Sequence, residues 1–303
     1  MNELACQFVG SFAILKSSTH FDPSANPDYC DLKPVFYTNT HPNAILHVCP
    51  QGLPLFVRYI LPTITHPFKL LTNNSDSTLP DDYPSETQEI LNHPLLLKWF
   101  SQNWTGDHVK VIRIPIGLDY HSLSPNKNKK LLWLCPSPGR CDIRTHPIEQ
   151  ERDLLNLKSR SSEFWRREIK AYANFQFLTS TRYGSDRKNA ISIIPKELVF
   201  YEPYFTRRNI CWQNMIQYTF VISPHGNGLD CHRTWEALVL GCIPIVKSSG
   251  LDPLFEGLPV WIVSQWDEVT RESMDYIVNT FRTKSFNYEK LKLSYWQNLL
   301  RTA

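Results

Sequence analysis

Residues 219–246, TFVISPHGNGLDCHRTWEALVLGCIPIV, set a strand, a glycine-rich turn, a helix and a second strand one after another without a gap. Thr219 to Ser223 is a short β-branched and aromatic run that stops at Pro224, and His225, Gly226, Asn227 and Gly228 then supply turn residues able to take positive φ. Leu229 to Leu240 reads as a helix. Leu229, Trp235, Leu238 and Val239 can face a sheet, while Arg233 and Glu236, three apart, share the other side. Gly241 ends the helix, and Ile243 to Val246 is a buried strand.

A glycine turn that opens a helix at the carboxyl end of a strand points backbone N–H groups outward, and the helix dipole adds partial positive charge there. Arg233, one turn into the helix, is placed to clamp phosphate oxygens. Glu236, one further turn on, is placed to accept hydrogen bonds from sugar hydroxyls. A nucleotide diphosphate has both features. Periodicity alone equally suits an ordinary βαβ unit with a surface Arg–Glu pair.

The segment SPHGNGLDCHRTWEAL followed by LGCIPIV resembles the donor-binding segment of exostosin-like glycosyltransferases, family 47, especially the compact members of large DNA viruses and algae. Arg233, Glu236, Ala237, Gly241, Cys242, Ile243 and Pro244 carry the likeness, over roughly 60 residues. The resemblance implies an α/β chain with the GT-B fold, two Rossmann-like domains facing across a cleft. It implies an inverting transfer from a UDP-sugar, xylose being one candidate, to a hydroxyl of a glycan or glycoprotein acceptor. One base on the face opposite the leaving group then suffices.

Length agrees with such a plan, since 303 residues hold two domains of about 120 to 150 residues. The expected division is 1–125 for the acceptor side, 126–285 for the donor side, and 286–303 as a closing helix that crosses back to the first domain. Hydrophobic residues make up 42% and charged residues 20%, and no run of 18 apolar residues occurs, so stable membrane insertion is not expected. A net charge of +3, with acids diluting the arginine-dense window, argues against a nucleic-acid partner. The eight cysteines show no C-x-x-C pair, which suits buried thiols in the cytoplasm; the sequons at Asn73 and Asn103 keep a lumenal, Golgi-type origin open.

The first 125 residues have an α/β rhythm. MNELACQFVGSFAILKSS reads as a first strand with its lead-in, and Gly52 to Ile64 as a helix interrupted near Pro62. PFKLLT is a strand that stops in Asn73, Asn74, Ser75 and Asp76. Loops after strands carry the chemistry of doubly wound folds, and T-x-x-S-D looks like the corresponding loop of the viral relatives, which makes Asp76 the leading candidate for the base. His41, after the VFYTNT strand, and Asp119, in IPIGLDY, are its rivals or acceptor contacts; Asp119 and His121 either line the cleft or cap a turn. Ser124 to Lys130 reads as a linker and Leu131 to Leu134 as the next strand, followed by helical sequence through about Ala173. Among the many arginines of this half, Arg182 sits in the loop STRYGSD and matches, by position relative to Arg233, a basic donor-phosphate residue of the viral relatives; a water-exposed loop arginine is the other reading.

Together, His225, the turn Gly226–Asn227–Gly228, Arg182 and Arg233 are expected to hold the departing UDP, with Glu236 on its ribose. No D-x-D occurs, and Asp230 and His232 would diverge on a helix, so no metal or other cofactor is expected to be required. The alternative is a nucleotide-sugar- or carbohydrate-binding protein on the same scaffold without turnover.

Overall fold

The structure is a computed structural model that describes residues 3–23, 32–122, 145–175, 180–202 and 206–303. The expected linker at Ser124 to Lys130 and strand at Leu131 to Leu134 lie outside the described residues, as do Cys30, Cys135, Cys141, Arg140 and Arg144.

In the first half, β1 (Ala44–His47), β2 (Phe68–Thr72), β3 (Leu96–Ser101) and β4 (Val111–Arg113) form a parallel sheet in chain order. β1 and β2 are buried at every position, which explains why AILH and FKLLT read as nearly unbroken apolar runs rather than alternating ones. The amino-terminal stretch expected as a strand is instead a 3₁₀ turn at Glu3–Ala5 followed by α1 (Ser11–Leu15). The reason is a competing acceptor: the N–H groups of Gln7 and Phe8 both donate to the Glu151 carboxylate at 2.9 Å, leaving only isolated bridges here. α2 (Leu53–Leu55) continues into a π turn at Phe56–Ile60 and a 3₁₀ turn at Leu61–Thr63, so Pro62 does end this helical stretch. α3 (Pro84–Asn92) begins with proline at its first position, where no N–H is needed. VFYTNT is no strand. Pro34–Tyr37 is a 3₁₀ turn, with Pro34 fixing its first φ.

The second half contains α4 (Pro147–Arg160), β5 (Glu168–Ala173), α5 (Gly184–Ile193), β6 (Val199–Tyr201), α6 (Arg208–Met215), β7 (Tyr218–Ile222), α7 (His232–Val239) and β8 (Ile243–Lys247). It closes with α8 (Asp252–Phe255), β9 (Trp261–Val263), α9 (Arg271–Thr283) and α10 (Leu293–Thr302). All five strands are parallel, in the order β6-β5-β7-β8-β9. β5 corrects the expectation of helix through Ala173. EIKAYA alternates, with Ile169, Ala171 and Ala173 packed in one core and Tyr172 in another. From β5 the chain adds β6 on one side and returns to place β7 on the other, which makes the gap between β5 and β7 a topological switch point.

The two sheets meet through the loops that follow their strands. A Cβ added at Gly228, after β7, would lie 3.2 Å from the Asp76 Cα, after β2; one at Gly250, after β8, would lie 2.4 Å from the Thr105 Cα, after β3. The carboxyl edges therefore face each other, which is the GT-B arrangement. One of three apolar clusters among the described residues runs through both halves, with Ile14, Leu71, Phe100 and Ile114 from the first and Trp235, Leu238, Trp296 and Leu300 from the second. α10 lies against the first half: Lys69 Nζ, on β2, donates to the carbonyls of Leu300 (3.0 Å) and Arg301 (2.9 Å), and Gln297 Nε2 to Ser17 Oγ (3.0 Å). Those C-terminal carbonyls lack helical partners, so a lysine among them is favourable both as donor and as charge.

Gly117 sits where the halves join. Its φ is +66°, and an added Cβ would fall 2.3 Å from the Val9 carbonyl oxygen. Gly117→Ala is expected to cost about 2–4 kcal/mol from backbone strain and displacement of Val9. Urea unfolding checks this; a loss below about 0.5 kcal/mol would mean that the junction adjusts freely.

Candidate functional site

The switch-point crevice is bordered by Asn174 and Phe175 after β5 and by residues 223–231 after β7. The helix starts later than the sequence suggests, at His232, with Cys231 extended at φ −128°. Asp230 is the cause. Its buried carboxylate accepts from the N–H groups of Ile116 (2.7 Å) and Cys231 (2.9 Å) and from Trp235 Nε1 (2.9 and 3.0 Å), while its own N–H donates to Asn103 Oδ1 (3.0 Å). Burial pushes its carboxyl up to about 6 against the opposing pull of these donors. Asp230 thus joins the halves and is not presented as a metal ligand. Arg233 consequently lies in the first turn of α7, not one turn in.

None of Gly226, Asn227 and Gly228 has positive φ, contrary to expectation. The glycines are needed for close approach: an added Cβ would lie 2.7 Å from Arg187 Nη2 at Gly226, and 2.7 Å from Asn103 Nδ2 at Gly228. Several loop amides expected to face a ligand are already used. His225 N–H donates to Asp186 Oδ2 (2.9 Å) and Gly226 N–H to the Gly228 carbonyl (3.0 Å). His225 is itself a strut, its Nδ1 donating to the Leu229 carbonyl at 2.9 Å and its ring packed edge-on to Tyr183.

Arg233 lies in the crevice. Its Nε donates to Asn174 Oδ1 (2.8 Å), its guanidinium sits 5.6 Å from the Phe175 ring centre, and among the described residues it forms no ion pair. Burial lowers its pKa, Cys231 and Glu236 pull it back up, and the neighbouring Arg187 pushes it down. Arg187, on α5, donates from Nε to the His225 carbonyl (3.2 Å). Arg182 is elsewhere, ion-paired to Asp82 of the first half and stacked near Tyr183. The arginine that joins Arg233 is therefore Arg187 rather than Arg182: α5 begins at Gly184, which puts position 187 in its first turn beside the β7 loop and leaves Arg182 on the loop before it.

Asp76 stands across from this loop. It is exposed as a residue, yet the packed loops around its carboxyl raise its pKa, opposed by His232, by a hydrogen bond from Asn227 and by Arg187. His41 is not in this group. It precedes β1 at the amino edge of the first sheet, where its Nδ1 donates to the Pro42 carbonyl and its ring lies 5.9 Å from that of His20. The two sequons are structural: Asn73 and Asn103 are buried, donating from Nδ2 to the carbonyls of Ser11 (2.8 Å) and Ser75 (3.3 Å).

A second polar cluster lies behind the crevice. Asp119 both caps a turn, accepting from Ser122 N–H (2.9 Å), and binds Arg208 Nη2 (2.9 Å). Burial alone would raise its pKa, but His121, Arg208 and His232 hold it well below the usual carboxylate range. Glu236, expected on a ribose, is buried with its carboxylate 3.9 Å from Arg208 Nε; burial raises its pKa. Glu3 is fully buried with neither carboxylate oxygen hydrogen-bonded among the described residues, and burial, with Asp119 nearby, pushes it up to about 7. Sequence reasoning does not single out Arg187, Asn174, Arg208 or Glu3, and it marks Asn103 only as a sequon. Only Arg187 carried a signal, the spacing of one helical turn from the STRYGSD loop.

No protein-family model matches this chain, and no curated protein does. Among solved structures, an α1,3-fucosyltransferase is 13% identical over 95% of this chain and 93% of its own, with TM-score 0.37. An α,α-trehalose-phosphate synthase (UDP-forming) from Burkholderia vietnamiensis is 13% identical over 93% and 77%, with TM-score 0.40. An E. coli structure described as trehalose-6-phosphate bound with UDP-2-fluoro glucose is 9% identical over 89% and 76%, with TM-score 0.41. The fold assignment rests on the strand order and the facing loops rather than on these likenesses. Among the described residues no helix is long and apolar enough to cross a membrane.

The Glu3 carboxyl sets a pH dependence. Its folded pKa, raised from 4.5 to about 7, means that the folded chain keeps a proton which the unfolded chain releases. That contribution is full below pH 4.5 and is lost as pH rises to about 7. Relative to Glu3→Gln, the wild type is expected to lose on the order of 2–3 kcal/mol across this window. Parallel stability curves for the two proteins, from urea unfolding at each pH, would show that folding does not raise the Glu3 pKa.

Proposed function

We propose that this chain transfers a sugar from a UDP-sugar to a hydroxyl of a glycan or glycoprotein acceptor, with inversion, as the exostosin-like resemblance implies. The observation that carries the reading is Arg233, packed at the switch point without an ion-pair partner among the described residues, with Arg187 beside it and Asp76 across the line between the sheets. A diphosphate would set its oxygens against the two guanidinium groups of Arg187 and Arg233. The start of α7 adds its dipole.

In the reaction, the Asp76 carboxylate takes the proton of the acceptor hydroxyl, whose oxygen attacks the anomeric carbon. The bond from that carbon to the diphosphate breaks, and the electron pair leaves with UDP, where Arg187 and Arg233 meet the developing charge. The raised pKa of Asp76 makes it a better proton acceptor than an ordinary exposed aspartate. In this reading arginine supplies the positive charge at the diphosphate, and the step requires no metal or other cofactor.

One observation favours the binding-protein alternative. Gly228 abuts the Asp76 backbone, and cavities of about 420 Å³, near Phe281 and Lys284, and about 200 Å³, near Arg113 and Trp296, lie away from the crevice. Acceptor entry then requires the loops to part. A wild type that binds UDP-sugar but neither transfers nor hydrolyses it would decide for that alternative.

Arg233→Ala and Arg187→Ala are each expected to weaken UDP binding by about 30- to 1000-fold, for the loss of ~2–4 kcal/mol of charge-assisted bonding. Arg182→Ala is expected to change it by less than about threefold, because its partner is Asp82. Calorimetry distinguishes these, and equal losses at positions 182 and 187 would move the donor site. Asp76→Asn is expected to lower transfer by about 10²–10⁴ while leaving UDP affinity near wild type. Near-normal transfer would discard Asp76 as the base.

A further inference from the structure

We propose that Asp119, His121 and His232 form a site for one divalent transition metal, of the kind zinc occupies, bridging the two halves of the chain. Each offers one ligand atom, and the three atoms lie within 4.8 Å of one another, so a small contraction brings them round a single ion. The site lies behind the arginine crevice, with His232 between the two, and does not rest on the sugar-transfer reading.

The tautomer of His232 is fixed by its neighbour. Its Nδ1 lies 2.7 Å from the Gly117 carbonyl, which can only accept, so Nδ1 carries the proton and Nε2 keeps its lone pair. A backbone carbonyl on the far nitrogen is the usual way a metal-binding imidazole is oriented. Asp119 is divided in the same sense: Oδ2 is held by Arg208 Nη2 at 2.9 Å, and Oδ1 faces His121 Nδ1 at 3.2 Å while accepting from Ser122 N–H. The His121 and His232 rings meet edge-on at 5.7 Å, and Phe12 closes the other face of His121 at 4.7 Å.

Arg208 opposes a cation, but it is outnumbered. Asp119, Glu236 and Glu3 are all buried, and each of the latter two is electrostatically coupled to Asp119. Glu3 keeps its proton below about pH 7, so Asp119 and Glu236 are the two carboxyls set against the one guanidinium of Arg208. Two imidazoles and one carboxylate suit Zn²⁺ or Co²⁺ better than Mg²⁺ or Mn²⁺, and leave a fourth position for water. Because His121 and Asp119 follow the first sheet and His232 opens α7, such an ion would tie the halves together at the junction.

The test is a Co²⁺ titration of the full chain after chelation, followed in the visible spectrum. One equivalent is expected to give tetrahedral ligand-field bands that Zn²⁺ removes. His121→Ala is expected to weaken this binding by about 100-fold or more, whereas His20→Ala, which breaks the His20–His41 pair elsewhere on the first half, is expected to keep it. No bands at one equivalent, or undiminished binding in a folded His121→Ala, overturns the proposal. Should that variant not fold, histidine modification of the wild type by diethylpyrocarbonate decides: Zn²⁺ is expected to protect His121 and His232, and protection confined to His20 and His41 refutes the site.

Discussion

The buried carboxylate of Asp230 is the constraint on which the arrangement of the site depends. An unpaired charge at that depth would be costly, and it is tolerated because three groups donate to it, one of them the Ile116 amide of the other half. Holding those donors keeps Leu229 to Cys231 extended and postpones α7 to His232. The delay brings Arg233 into the first turn, beside Asn174 at the end of β5, and sets His232 against Gly117. A helix beginning at Leu229 would have turned both side chains elsewhere.

Much of the fold was legible because parallel strands buried on both faces announce themselves as apolar runs. FKLLT, TFVIS and IPIV are such runs, and each is a strand within a residue or two. EIKAYA was missed because its alternation is diluted by Lys170 and by two alanines, which suit a helix as well. The amino-terminal segment failed for a different reason. Its backbone donors are taken by Glu151, a residue 143 or 144 positions away that no local pattern reveals.

The candidate site was legible in part. Asp76 is a candidate because it follows a strand, and Arg233 because it follows a glycine turn, and the structure puts their loops in contact at Gly228. The glycines themselves were given the wrong reason. They are small because Arg187 and Asn103 press on them, not because φ is positive. Arg182 stands out in the sequence because it lies in a loop, whereas Arg187 is one charge among many on α5, whose start at Gly184 no local pattern marks. The Asp119, His121, Arg208 and Glu236 cluster draws on residues nearly 120 apart and could not be assembled from spacing.

The central claim is that the gap between β5 and β7 receives a nucleotide diphosphate. A crystal structure with UDP tests it most directly. The account predicts the diphosphate between the guanidinium groups of Arg187 and Arg233, at the start of α7 and across from Asp76. Density for UDP anywhere else, for example in the cavity bordered by Phe281 and Lys284, would contradict it.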